Sequence, residues 1–91
     1  MKPGRKLIEL GARECTDAEI LAILLGSGGR GYTALDAATA LIERYGTLGA
    51  LMGCALDEVA TVRGIKTVRA IRLAAAYELC QRVLKEIARD S

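Results

Sequence analysis

The sequence predicts an all-α fold, and three observations carry that prediction. No four consecutive residues alternate cleanly between apolar and polar while also rich in β-branched types, so no strand pattern is present. The single proline stands at position 3, clear of every helix interior. Apolar residues recur instead at helical spacing, between threonine starts and glycine stops. A length of 91 residues supports one hydrophobic core, and 52% hydrophobic residues exclude a disordered tail. With three Tyr and no Phe or Trp, that core must be aliphatic, and abundant Ala lets helices approach closely.

Lys6 to Leu10 carries apolar residues at 7, 8 and 10 and meets Gly11, which suits a short helix ended by a left-handed glycine. Thr16-Asp17-Ala18-Glu19 is a capping-box pattern, so a helix should start at Asp17. Its Ile20, Leu21, Ile23, Leu24 and Leu25 are apolar nearly all round, which predicts a central buried helix stopped by Gly26. After the glycine-rich stretch Gly26 to Gly31, Thr33 caps a helix with Leu35, Ala38, Leu41 and Ile42 at helical spacing up to Gly46. Thr47 to Met52 predicts another short helical turn, closed by Gly53. Leu56 to Val62 places Leu56, Val59, Ala60 and Val62 on one side of a further helix, which Arg63-Gly64-Ile65-Lys66 interrupts.

The last helix should run from about Thr67 to Arg89. On a helical wheel, Val68, Ile71 and Ala75 define one side, while Leu79, Cys80, Val83 and Ile87 lie roughly 100° or more away. Its two halves are therefore expected to pack on different neighbours. The elements divide into a strap at 1–15, a first hairpin at 16–46, a connector at 47–55 and a second hairpin at 56–91, all within one helical domain.

The absence of His removes His-based acid–base chemistry, the Ser-His and Cys-His dyads and the commonest zinc ligand. Cys15, Cys54 and Cys80 are widely spaced, form no C-x-x-C pair, and read as small buried hydrophobes in a reducing cytosol. The longest uninterrupted apolar run, Ile20 to Leu25, is far too short for a membrane span, and no signal peptide pattern is seen. The expectation is a soluble cytoplasmic protein without metal, cofactor or small-molecule substrate.

Net charge is only +2, but it is unevenly placed. Residues 1–62 carry six basic and eight acidic side chains, whereas residues 63–91 carry seven basic (Arg63, Lys66, Arg69, Arg72, Arg82, Lys85, Arg89) and three acidic. Such asymmetry fits either a region facing a polyanion or a solvated helix face. Gly26-x-Gly28-x-x-Gly31 formally matches a dinucleotide fingerprint, yet a helix and not a strand precedes it, and no Gly-Lys-Ser/Thr follows. It reads as a glycine-rich connector containing Arg30.

The informative stretch is Leu56-x-x-Val59-x-x-Val62-Arg63-Gly64-Ile65-Lys66-x-x-x-Ala70-x-x-Leu73. A short helix, a tight glycine turn, an inserted Ile65 and a second helix starting at once leave helix N-terminal amides pointing outward, an anion site. Lys66, Arg69 and Arg72 would add charge at the hairpin mouth, as a phosphodiester requires. The same spacing also describes an ordinary αα-hairpin with a basic rim.

This stretch resembles the helix-hairpin-helix motif, hxxhxGhGxxxAxxhxx. Together with Arg5-Lys6-Leu7, Gly11, Asp17 to Leu25, Gly28, Gly31, Glu43-Arg44-Tyr45-Gly46 and Gly64-Ile65, the chain is similar over nearly its whole length to the N-terminal domain of the bacterial RadC family. The resemblance implies a compact five- to six-helix domain, tandem helix-hairpin-helix-like and of the SAM/RuvA-domain-2-like kind. It also implies a following JAB/MPN metalloprotease-like domain with an H-x-H metal site. A chain without His does not contain that domain, so an isolated domain is expected, with no catalytic residue of the family carried onto it and no enzymatic activity. Lys66 departs from the motif, whose turn usually reads Gly-h-Gly; its side chain either crowds a phosphate or engages one.

The function expected is sequence-nonspecific binding of duplex or branched DNA in a repair protein. Arg63, Gly64, Ile65, Lys66, Thr67, Arg69 and Arg72 form the expected site, with Gly28, Arg30 and Gly31 as a secondary contact. No helix groups Asn, Gln and Arg for base readout, and aromatics are too few for a single-strand stacking platform. The competing expectation is a protein-interaction or regulatory module that docks on the attached metalloprotease-like domain or on an outside partner.

Overall fold

In a computed structural model, which describes residues 1–26 and 33–90, the chain is all-α. Among the described residues the helices are α1 Pro3–Leu10, α2 Asp17–Leu25, α3 Ala34–Tyr45, α4 Leu48–Met52, α5 Leu56–Val59 and α6 Thr67–Asp90, with a 3-10 turn at Ala12–Glu14 between α1 and α2. None of them is long and apolar enough to cross a membrane.

Helix α1 begins earlier than Lys6 because Pro3 occupies its first turn, where the missing N–H is not needed and the fixed φ already suits a helix. The start of α2 is closed by the predicted capping box: Thr16 Oγ1 accepts from the Glu19 amide at 3.2 Å, and Glu19 Oε1 accepts from the Thr16 amide at 2.8 Å. Lys6 Nζ, on α1, donates to that same Glu19 Oε1 at 2.9 Å, which pins the strap to the cap. Thr33 and Thr47 cap α3 and α4 in the same way, accepting from the amides of Asp36 and Ala50. Three of the helix starts are thus fixed by residues three positions apart in sequence.

The most extensive helix contact joins α2 to α3, and α6 packs across α2, α4 and α5. The core contains Leu21, Ala22, Leu25, Ala37, Ala38, Leu41, Leu51, Val59, Val62, Ile65, Ala70 and Leu73, so it is aliphatic with small residues at the close approaches, as composition required. Ala37 and Ala38 are wholly buried, allowing the α3 backbone to lie near its neighbours.

Four expectations are corrected. Helix α2 is covered on one face only: Leu21, Ala22 and Leu25 are buried while Ile20, Ile23 and Leu24 remain exposed, because a domain this small cannot surround a helix with a second layer. In α3, Leu35 faces outward and Ala37 takes the inner position. In α6, Val68, Ile71 and Ala75 are exposed, and the buried face is instead Arg69, Ala70 and Leu73. The cysteines also lie nearer the surface than expected, Cys15 and Cys54 being half-buried and Cys80 exposed.

Candidate nucleic-acid interface

The turn between α5 and α6 is built by local chemistry. After α5, the chain continues as tight turns in which the amides of Thr61, Val62 and Ile65 donate to the carbonyls of Glu58, Val59 and Val62. Gly64 adopts φ +87°, a left-handed conformation that side chains with a Cβ rarely enter, so glycine is needed there. That reversal drives Ile65 inward, where it is 2% exposed among the core aliphatics and plugs the gap between the two helices. The expected roles of Gly64 and Ile65 in shaping the turn are what the structure displays.

Helix α6 then starts at Thr67, with Ala70 N donating to Lys66 O at 2.9 Å as its first closing bond. Lys66 stands where α2, α3 and α4 have threonine, and its ammonium cannot accept a hydrogen bond. The amides of Lys66, Thr67 and Val68 donate to no acceptor among the described residues. These amides converge at the positive end of a helix dipole, and Arg63, Lys66 and Thr67 around them are exposed. The arrangement is a set of main-chain donors at an exposed turn that also carries two long cations, Arg63 and Lys66.

Arg69 and Arg72 are placed elsewhere. Arg69 is 5% exposed and its guanidinium donates to Gly64 O at 2.9 Å and to Gly26 O at 3.0 Å. Arg72 Nη1 donates to Leu25 O at 2.5 Å. Both side chains therefore satisfy carbonyls at the C-terminus of α2, where cations complement the helix dipole. A Cβ on Gly26, which sits at φ +68°, would run into the Arg72 guanidinium. Of the seven residues expected at the mouth of the hairpin, Arg63, Lys66 and Thr67 face solvent, Gly64 and Ile65 shape the turn, and Arg69 and Arg72 tie it to α2. Gly28, Arg30 and Gly31 lie outside the described residues.

The buried brace was the functional element that sequence reasoning missed. Its signal was available: Arg69 falls on the same helical side as Ala70 and Leu73, both of which the motif assigns to the core. An arginine in a core stripe needs acceptors, and the C-terminus of a neighbouring helix supplies them.

Two other polar contacts fix the surroundings. Tyr45 Oη donates to Glu58 Oε1 at 3.3 Å, linking α3 to α5, and burial first, then the nearby Glu58 charge, pushes the phenol up from its ordinary value. At the α2 cap, the Thr16 amide first and Lys6 second hold the Glu19 carboxyl below the usual carboxylate range, while Lys6 is raised chiefly by its hydrogen bond to Glu19.

A family model described as UPF0758 N-terminal matches residues 1–71. Among curated relatives, a UPF0758 protein of Neisseria meningitidis serogroup C is 38% identical over 99% of this chain and 40% of its own length. Those of Shewanella loihica and Dechloromonas aromatica are 37% and 41% identical, over 92% and 93% of this chain and 37% and 38% of theirs. The chain thus spans about 40% of the length of these relatives. No solved structure matches it.

Proposed function

This chain belongs to the UPF0758 family, a name that carries no activity, and we propose that it is a RadC-like helix-hairpin-helix domain that holds the phosphate backbone of duplex or branched DNA at residues 63–68. One observation carries the reading. The longest helix begins behind Lys66, a residue that cannot cap it, with the amides of Lys66, Thr67 and Val68 lacking an acceptor among the described residues; α1 and α5 also start without a side-chain cap, but only α6 has the exposed pair Arg63 and Lys66 at its start. An oxyanion completes what α6 leaves open, and Lys66 and Arg63 add the charge that makes phosphate preferable to a neutral ligand. Arg69 and Arg72 serve the site by position: they hold the turn against α2 and do not touch the ligand.

Contacts of this kind are blind to base identity, so affinity should be modest, fall linearly on a log–log plot against salt, and vary little with sequence. The test is an NMR titration of the chain with a short duplex, repeated for the double variant Arg63→Glu/Lys66→Glu. Shifts should concentrate at residues 63–68, and the variant should bind all sequences at least about tenfold more weakly. Equal binding by the variant, or shifts confined to residues 79–87, would sink the proposal. In that case the domain is the interaction module that forms the second reading, which an exposed apolar stripe on α6 favours.

A further inference from the structure

Helix α1 is attached to the molecule differently from the other helices. Each of α2 to α6 buries at least one side chain, and α1 buries none. Its Pro3, Lys6 and Leu7 are half-buried, its Ile8 and Leu10 are exposed, and its main neighbours are α2 and the 3-10 turn at Ala12–Glu14. Eight residues do not hold a helix by themselves, since isolated helices shorter than about 12 residues are marginal in water. The Arg5–Glu9 pair within α1 is exposed and adds little. The helical state of residues 3–10 therefore depends on docking.

Among the described residues, one side-chain hydrogen bond crosses from α1 to another helix: Lys6 Nζ to Glu19 Oε1 at 2.9 Å, with the two side chains 26% and 16% exposed. Beyond Leu10 the chain runs through Gly11 and Ala12–Glu14, all exposed, so no buried side chain resists a swing there. Glu19 Oε1 also accepts from the Thr16 amide, a bond inside the α2 cap that does not need α1. Undocking α1 thus leaves the carboxylate with a partner, gives the lysine to water and removes no member of the core. We infer that α1 is a latched strap. It releases as a unit about residues 11–14 and loses its helix while α2 to α6 stay folded, and the Lys6–Glu19 contact sets how often. Residues 1–13 carry Lys2, Arg5, Lys6 and Arg13 against Glu9, so release frees a basic arm and closure neutralises one of its charges. This inference does not rest on DNA binding.

Amide hydrogen exchange of the 91-residue chain, followed by NMR at rising low concentrations of urea, tests it. The amides from Lys6 to Gly11, which close the turns of α1, should be protected together, on the order of 10- to 100-fold, and respond little to urea because release exposes little surface. Those of Leu41 and Leu73, inside α3 and α6, should be protected at least about 1,000-fold and lose that protection steeply with urea, since they open only when the whole domain unfolds. Lys6→Met keeps the aliphatic stem and removes the latch, and should speed exchange in α1 about fivefold. Arg5→Met, which breaks only the pair inside α1, should speed it about twofold or less. Exchange of the α1 amides at the rate and urea dependence of Leu41 would make α1 an integral part of the fold and overturn the strap. Equal α1 exchange in the parent and Lys6→Met, or an equal effect of Arg5→Met and Lys6→Met, overturns the latch.

Discussion

The starts of α2 and α6 are opposites. At α2, Thr16 and Glu19 satisfy each other's backbone amides and Lys6 neutralises the carboxylate, so the cap position is filled from within the molecule. At α6, a lysine stands in the cap position and the amides of Lys66, Thr67 and Val68 find no acceptor among the described residues. The contrast separates an end capped by its own side chains from the one at which we propose that the DNA backbone is held. It also shows where the molecule invested instead: the turn before α6 is held from behind by Arg69, not from in front by a cap.

The largest expected effect comes from that brace. Arg69→Met keeps much of the side-chain volume but strips the donors from Gly64 O and Gly26 O, and should cost about 3 kcal/mol, read as a lower urea midpoint at unchanged slope. If Arg69→Met instead leaves stability intact and abolishes DNA binding, the arginine is a ligand contact and the brace is misassigned.

Exchanging the character of the two helix starts gives the next test. Thr16→Ala should cost about 1 kcal/mol and leave DNA affinity unchanged. Lys66→Ser should do the reverse: it supplies α6 with a cap, raises stability by about 0.5 kcal/mol and lowers DNA affinity, because the hydroxyl now occupies an amide and a cation is lost. Both can be read from urea unfolding and fluorescence anisotropy on the same preparations. A Lys66→Ser chain that binds DNA as well as the parent would mean that the α6 amides are not the grip.

The smallest effect is in pH. Glu19 is held below its ordinary value of 4.5, so its contribution is fully present above that value and is lost as pH falls through the lowered folded-state value. Lys6 is raised above 10.5, so its contribution is complete below 10.5 and is lost as pH rises through the higher folded value. Glu19→Gln should flatten the acid limb of the stability profile without altering the behaviour of the α6 end.

Much of the architecture was legible because its causes are local. Thr16 with Glu19, Thr33 with Asp36, and Thr47 with Ala50 are contacts over three residues, and Gly64 needs its positive φ for reasons contained in the turn itself. The inner place of Ile65, Ala70 and Leu73 followed from the motif spacing. The burial pattern of α6 was harder. Val68, Ile71 and Ala75 form one apolar side and Ala70, Leu73 and Tyr77 another, and hydropathy does not say which one a neighbour will cover.

The amino-acid sequence by itself determined the helical class, the helix starts at Thr16, Thr33 and Thr47, and the glycine turn that aims α6, since each depends on forces acting within a few residues. Only the tertiary structure decided the direction of Arg69 and Arg72. Arg69 lies 43 residues along the chain from the Gly26 carbonyl it serves, and Arg72 lies 47 residues from that of Leu25. A charged side chain follows its nearest unsatisfied acceptor in space, and no pattern along the chain reveals which acceptor the fold will bring within reach.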